Sequence, residues 1–422
     1  SRLFGRFKGG PAKVAVVASG LFGSISGSAI ANVIGTGTFT IPMMKKCGFE
    51  DEYAAAVEAS ASTGGQIMPP VMGATAFIIA EYLGIPYFDL VKAAVIPAVL
   101  FYVAILMTVD LYARKHNIKG VAEEELPTWK EMRRNVYLIL PLIYLIIAMS
   151  FLNMSVTKAG ITSLIAAIVC TAFSSKNRIT PAKLKKIVLG SISGSKPVAI
   201  ACGVVGIIIG IVMGSGLGFR MSAVLIEISG GHQSVLLVLT MIVSLILGMG
   251  VPTTAAYLML ALLVVPALSE MSVLPLAAHL FIFYFGIISN VTPPVALAAY
   301  AAAGVARCNP TKTGIFAFKL SISGFILPFM FVYNPVLLMQ GEPLEIIWSV
   351  MTALVGIYSL SAALEKFIFK WNIGNVERVI LVVSALLLID PGLLTDIIGF
   401  VVLGGFLIIK LAADKKKVQA AA

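Results

Sequence analysis

Two short runs of small and hydroxyl-bearing residues interrupt long apolar stretches, SGSAIAN at Ser26–Asn32 and GMGVPTT at Gly248–Thr254. Each is followed by a second polar break that ends in a proline pair, TGGQIMPP at Thr63–Pro70 and ISNVTPP at Ile288–Pro294. A helix interrupted in hydrocarbon leaves carbonyls and amides without partners, so such breaks persist only where protein buries them or a cavity needs them. Freed carbonyls with Ser and Thr hydroxyls suit a small hard cation such as Na⁺, and half-helix N-termini suit an anion. On that chemistry a first cation site joins Ser26, Gly27, Ser28 and Asn32 to Thr63, Gly64, Gly65 and Pro69. A second joins Gly248, Gly250, Thr253 and Thr254 to Ser289, Asn290, Thr292 and Pro293. Glycines allow the turns, and prolines remove amide donors so that carbonyls one turn earlier are free. The polar side chains of Ser28, Asn32, Thr254 and Asn290 are the candidates to hold a substrate.

The elements that must position these breaks repeat. Shifted by 224 residues, Pro42 falls on Pro266 and Pro69–Pro70 on Pro293–Pro294, while Leu21, Val71 and Ala74 meet Leu245, Val295 and Ala298. The broken apolar stretches are 12–44, 52–83, 233–268 and 275–305. Unbroken stretches long enough to cross a bilayer run 89–113, 136–152, 158–175, 197–217, 314–338 and 345–364, and 376–389 with 393–410 form a closing pair.

Charge sets the sides. Loops 114–135 and 176–186 carry the Lys and Arg clusters and are placed in the cytoplasm; 84–88, 153–157 and 340–344 are placed outside. Stretch 12–44 has Lys8 and Lys13 at one end and Lys45–Lys46 at the other, so it enters and returns on the cytoplasmic side. Its counterpart at 233–268 lies an odd number of crossings away and dips in from outside. The repeats are therefore inverted, the architecture of secondary transporters. Segment 182–195 reads as a helix along the interface before its span begins.

Other residues carry less. Glu58 is a carboxylate inside a broken helix, where it serves equally well as a functional group or as a partner for a neighbouring helix. Lys319 is placed to snorkel to the cytoplasmic face, and His232 and His279 read as structural groups near the outer interface. GSISGS occurs at 23–28 and again at 190–195; the second copy has no proline-pair partner and reads as packing or an interfacial turn. The four cysteines are scattered and read as packing residues.

Composition agrees. Of 422 residues 59% are hydrophobic and 12% charged, with a mean hydropathy of +0.99, about half the charge a water-soluble surface needs. The net charge of +11 sits in clusters that flank spans, which argues against nucleic acid as a partner and for the lipid bilayer. An intramembrane enzyme would need Asp, His or Glu clustered at one depth, which the sequence does not offer. The chain opens Ser-Arg-Leu-Phe, without Met or a signal-peptide pattern, as a processed or truncated chain would.

The stretches GSISGSAIANVIGTGTFTIPMMKKCGF (23–49), GGQIMPPVMGATAFIIAEYLG (64–84), LGMGVPTTAAYLMLALLVVPAL (247–268) and HLFIFYFGIISNVTPPVALAAYAAAG (279–304) strongly resemble the large membrane subunit of tripartite ATP-independent periplasmic (TRAP) transporters. AAHLFIFYFG and the extra C-terminal spans look most like the fused-permease branch used by TAXI-type transporters. The resemblance implies an all-α membrane protein of the elevator type, in the inner membrane of a bacterium or archaeon. It implies sodium-driven symport of a small organic anion, a carboxylate, taken from a periplasmic substrate-binding protein. It also implies that the two breaks of each repeat hold sodium, and that a small membrane subunit takes part. The helices a fused permease carries upstream are absent from this sequence. A stand-alone sodium/dicarboxylate symporter of a related fold is the alternative. The expected divisions are a first repeat at 1–113, scaffold spans and interfacial helices at 114–231, an inverted repeat at 232–338, and C-terminal helices at 339–422.

Overall fold

A computed structural model describes residues 5, 7–120, 136–150, 152, 154–172, 179–389 and 392–421. It is almost wholly helical; the one strand pair among the described residues joins Phe367–Ile368 to Trp371–Asn372.

The first repeat opens with a hairpin of α1 (Gly10–Ser26) and α2 (Ala29–Lys46). Gly27 ends α1 in the left-handed region at φ 63°, a conformation that costs glycine little, and its N–H donates to Gly23 O at 3.1 Å. The Ser28 hydroxyl then accepts from the Ala31 N–H at 3.3 Å and caps α2. The broken helix follows as α3 (Asp51–Gly64), a 3₁₀ turn at Gly65–Ile67, and α4 (Gly73–Leu83), after which α5 (Tyr87–Lys115) is unbroken.

Between the repeats lie α6 (Leu140–Ser150), α7 (Val156–Ala172), α8 (Pro181–Ser215) and α9 (Leu217–Ser229). The expected interfacial helix at 182–195 is not separate, because α8 runs through it and on into the apolar stretch. Glycine inside a helix costs about 1 kcal/mol relative to alanine, too little for Gly190 to end it. The second GSISGS is accordingly not a turn, and a Cβ on Gly190 would meet nothing within 4 Å. The basic loop expected at 114–135 is described only to residue 120, so its Arg133–Arg134 pair lies outside the described residues.

The second repeat has α10 (Gln233–Gly248), then α11 (Thr253–Leu263) and α12 (Val265–Glu270), which together form the return arm. Pro42 is held inside α2, whereas Pro266, its counterpart, sits at the start of α12 beside the break at Val264. The broken helix is α13 (Pro275–Ile288), a 3₁₀ turn at Ser289–Val291, and α14 (Leu297–Ala306). Both ends of α3 and α13, both 3₁₀ turns and the starts of α4 and α14 keep the 224-residue offset without slippage. So do the left-handed residues Met72 and Ala296 and the cis bonds Pro69–Pro70 and Pro293–Pro294.

The expected span 314–338 is two helices, α15 (Pro310–Leu320) and α16 (Ser323–Tyr333), followed by a 3₁₀ turn at Pro335–Leu338. The stretch Pro310–Tyr333 still has the length and apolarity of a single span, as do Tyr87–Lys115, Pro343–Glu365 and Leu394–Ala412. The C-terminal helices α17 (Pro343–Glu365), α18 (Asn375–Ile389) and α19 (Leu393–Ala421) pack in sequence, and α17 lies along α5. Lys319 Nζ meets Glu365 Oε1 at 2.9 Å, tying α15 to the end of α17.

The two repeats interlock. Helix α3 is buried between the first hairpin and α14 and α15 of the second repeat, while α4 crosses to touch α11 and α13. One hydrophobic core runs through both repeats. Outside it, Leu21, Phe22, Ile25, Ile34 and Phe39 of the first hairpin remain exposed, as suits a face that meets lipid or another apolar subunit.

Candidate functional site

The first hairpin lies directly on the broken helix. A Cβ on Gly23 would come within 2.5 Å of Asn32 Nδ2 and 2.7 Å of Gly65 Cα, so backbone meets backbone and nothing larger than glycine fits. At the tip, Gly27 is equally tight on Gly73, the first residue of α4. Asn32 is buried, and its Nδ2 donates to Ser19 O at 2.8 Å and Ser62 O at 3.4 Å, bridging the hairpin to the end of α3. Beside it the Thr63 hydroxyl is buried without a hydrogen-bond partner. Such an oxygen is costly to bury and would be relieved by a cation or a water. Ser26 and Ser28 stay at the exposed tip, the Ser26 hydroxyl donating to Ser28 O at 3.4 Å. Of the first set, then, Asn32, Thr63, Gly64 and Gly65 form a buried group; Ser26 and Ser28 stand at its edge, and Pro69 is half-buried.

The second set divides differently. A Cβ on Gly248 would lie 2.7 Å from Ser289 Oγ, so hairpin and broken helix touch here too. Ser289 donates to Gly286 O at 2.7 Å, Asn290 Nδ2 to Ile287 O at 3.0 Å and Thr292 to Ile288 O at 2.8 Å, all within their own helix. Gly250 and Pro293 are exposed. Thr253 and Thr254 turn away from these residues to the other repeat. Thr253 donates to Gln66 Oε1 at 2.8 Å, and the Thr254 and Thr75 hydroxyls share a hydrogen bond of 3.0 Å. Thr75 is in the first turn of α4 and Thr254 in the first turn of α11, so two half-helix N-termini face one another. The N-terminus of α2 is beside them through the Gly27–Gly73 contact. Three sets of free amides thus converge, with hydroxyls and an amide side chain, on one place suited to an anion.

Gln66 and Thr75 were not among the expected site residues. Gln66 stands inside the TGGQIMPP break and was legible there; Thr75 depends on how the repeats meet, which no local pattern shows.

Glu58 resolves into a specific environment. It is fully buried and accepts hydrogen bonds from Ser19 at 2.6 Å, Thr36 and Thr40 at 2.5 Å each, and Ser62 at 3.1 Å. His279, also buried, is paired through Nδ1 with the Tyr257 hydroxyl at 2.7 Å.

Hairpins that touch broken helices, repeated once and joined by apolar spans, define a multi-pass membrane transport protein. The chain belongs to the tripartite ATP-independent periplasmic transporter family, DctM component, which matches residues 1–343. That family comprises permeases of the inner membrane, not enzymes. The chain is 23% identical over 351 residues to the 2,3-diketo-L-gulonate TRAP transporter large permease protein YiaN of Escherichia coli, covering 80% of this chain and 79% of that one. It is 23% identical over 341 residues to the uncharacterized protein YgiK of Salmonella typhimurium, covering 79% and 76%. Over a shorter stretch of 129 residues, 31% of this chain and 27% of the other, it is 31% identical to the C4-dicarboxylate TRAP transporter large permease protein DctM of Vibrio cholerae.

Proposed function

We propose that the protein is a sodium-coupled symporter of a small organic carboxylate, delivered by a periplasmic substrate-binding protein and working with a small membrane subunit. The observation that carries this reading is the meeting of the α4 and α11 N-termini at Thr75 and Thr254, beside the N-terminus of α2. A carboxylate there takes up free amides and hydroxyls without a buried counter-charge. Relatives named for C4-dicarboxylate and 2,3-diketo-L-gulonate transport support the substrate class. Substrate is assigned to Ser28, Asn32, Thr254 and Asn290, with Gln66 and Thr75 added.

The cations are assigned to the two sets of breaks. Thr63, with its unpartnered oxygen, anchors the first; the carbonyls around Gly248 and Ser289–Pro293 form the second. Both hairpins and both broken helices move as one unit across the membrane, because their own packing already satisfies the broken backbone and sliding exposes no new unpaired groups.

Uptake of labelled dicarboxylates into proteoliposomes, with and without a sodium gradient and a binding protein, tests the reading. Full uptake without a binding protein would instead identify a stand-alone symporter. Uptake indifferent to sodium would remove the coupling ion.

A further inference from the structure

The carboxylate of Glu58 has no ion-pair partner among the described residues, although it is buried in the middle of α3. An unpaired buried charge is costly, and hydrogen bonds offset only part of the cost. On the surrounding helices Lys13 pairs with Asp110, Lys45 with Asp51, Lys312 with Glu50 and Lys319 with Glu365, and no ion pair joins Lys46 to Glu58. From α5 the titratable side chain facing this region is Tyr102, whose hydroxyl donates to Ala61 O at 2.6 Å. From α1, α2 and α3 Glu58 receives hydroxyls.

Three of those four hydroxyls have second acceptors within reach. Thr36 Oγ1 lies 2.8 Å from Asn32 O, Thr40 Oγ1 lies 3.1 Å from Thr36 O, and Ser19 Oγ lies 3.1 Å from Thr36 Oγ1. A hydroxyl has one hydrogen to give and two lone pairs with which to accept. With the carboxyl ionised, the hydroxyls point at it. With the carboxyl protonated on Oε2, it donates to Thr40, which turns to Thr36 O, while Oε1 still accepts from Ser62. A carboxylate kept only as a strut would need one of these arrangements; this cage provides both. Thr36 is also the most exposed residue of the cage, and it leads out to the surface of α2.

We propose that Glu58 is a proton-binding site of the first repeat, loaded and unloaded past Thr36, so that a proton accompanies the transport cycle. A hydronium at the α2 surface gives up one proton, its O–H bond breaking to leave water, and the carboxylate takes that proton on one oxygen. The inference rests on the chain being a transporter and not on sodium coupling.

The test is infrared difference spectroscopy of the purified protein in lipid nanodiscs between about pH 5 and about pH 9, a range wide enough for a buried carboxyl. A carbonyl-stretch band of a protonated carboxyl should appear on acidification, be lost in Glu58→Gln, and survive in the exposed control Glu81→Gln. A band unaffected by Glu58→Gln, or no band at any pH, would overturn the proposal. If Glu58→Gln does not fold, Thr36→Val serves in its place: it keeps the carboxyl but removes one cage hydroxyl, and the midpoint of the band should move. An unmoved midpoint would overturn the proposal as surely. Uptake by Glu58→Gln should also lose its pH dependence, whereas sodium dependence reports separately on the cation assignment.

Discussion

Thr253, at the tip of the second hairpin, donates its hydroxyl hydrogen to Gln66 of the first repeat's broken helix at 2.8 Å. The bond crosses between repeats and stands next to the Thr75–Thr254 contact at 3.0 Å. Replacing Thr253 with Val removes an oxygen at nearly constant volume and leaves Gln66 without its partner, a loss of about 1–3 kcal/mol for a buried acceptor. Thr253→Val is expected to reach the membrane in normal amounts yet lose uptake and sodium activation. Wild-type sodium activation would show that the hydroxyl has no part in the site.

Ser28→Ala should act more mildly. It removes the cap of α2, worth about 1 kcal/mol, at a tip that is exposed. The sodium concentration for half-maximal uptake should rise by about tenfold or less, in line with that energy, while thermal stability changes little. An unaltered sodium titration would place the cation away from the tip.

Identical hexapeptides should answer oppositely to one substitution. Gly23 and Gly190 both open a GSISGS, but a Cβ at Gly23 collides with Asn32 and Gly65, whereas one at Gly190 meets nothing within 4 Å. Gly23→Ala should destabilise the detergent-solubilised protein by about 1–3 kcal/mol and lower its melting temperature. Gly190→Ala should be neutral or stabilising by about 1 kcal/mol, the helix-propensity gain. Equal melting temperatures would contradict the hairpin's close seat on the broken helix.

A cysteine at Lys119, just beyond α5, should resist a membrane-impermeant reagent applied from the periplasm, and one in the connection at 84–88 should react. The reverse pattern would place both repeats the wrong way up.

If both hairpins ride on one moving unit, a cysteine at Ala31 and another on α6 should cross-link in only one conformation, with a yield that sodium changes. A ligand shifts an equilibrium only by binding its states differently. Normal transport by the locked protein would rule out the sliding motion.

The repeat was legible because its signals are local. Pro69–Pro70 and Pro293–Pro294 mark chain breaks wherever they stand, and the 224-residue offset needed only matching. The groups flanking each break were found for the same reason. What the sequence hid was partnership across repeats: Thr253 was assigned to Ser289 and Asn290, yet its hydroxyl goes to Gln66. Glu58 illustrates the limit. Its burial followed from its place in an apolar stretch, but its four hydroxyl donors sit on three helices, and only Ser62, one turn away, was within reach of a periodicity argument.

The burial of α3 against α14 and α15 bears on how the protein is made. The ribosome delivers α3 early, yet the surfaces that cover it arrive more than two hundred residues later. The first hairpin is already in place to cover the break at Thr63–Pro70, but the face of α3 that meets α14 and α15 has to wait for the second repeat, as α4 waits for α11. A chain stalled between the repeats therefore carries α3 with one face uncovered, so completion of the second repeat is what closes the first.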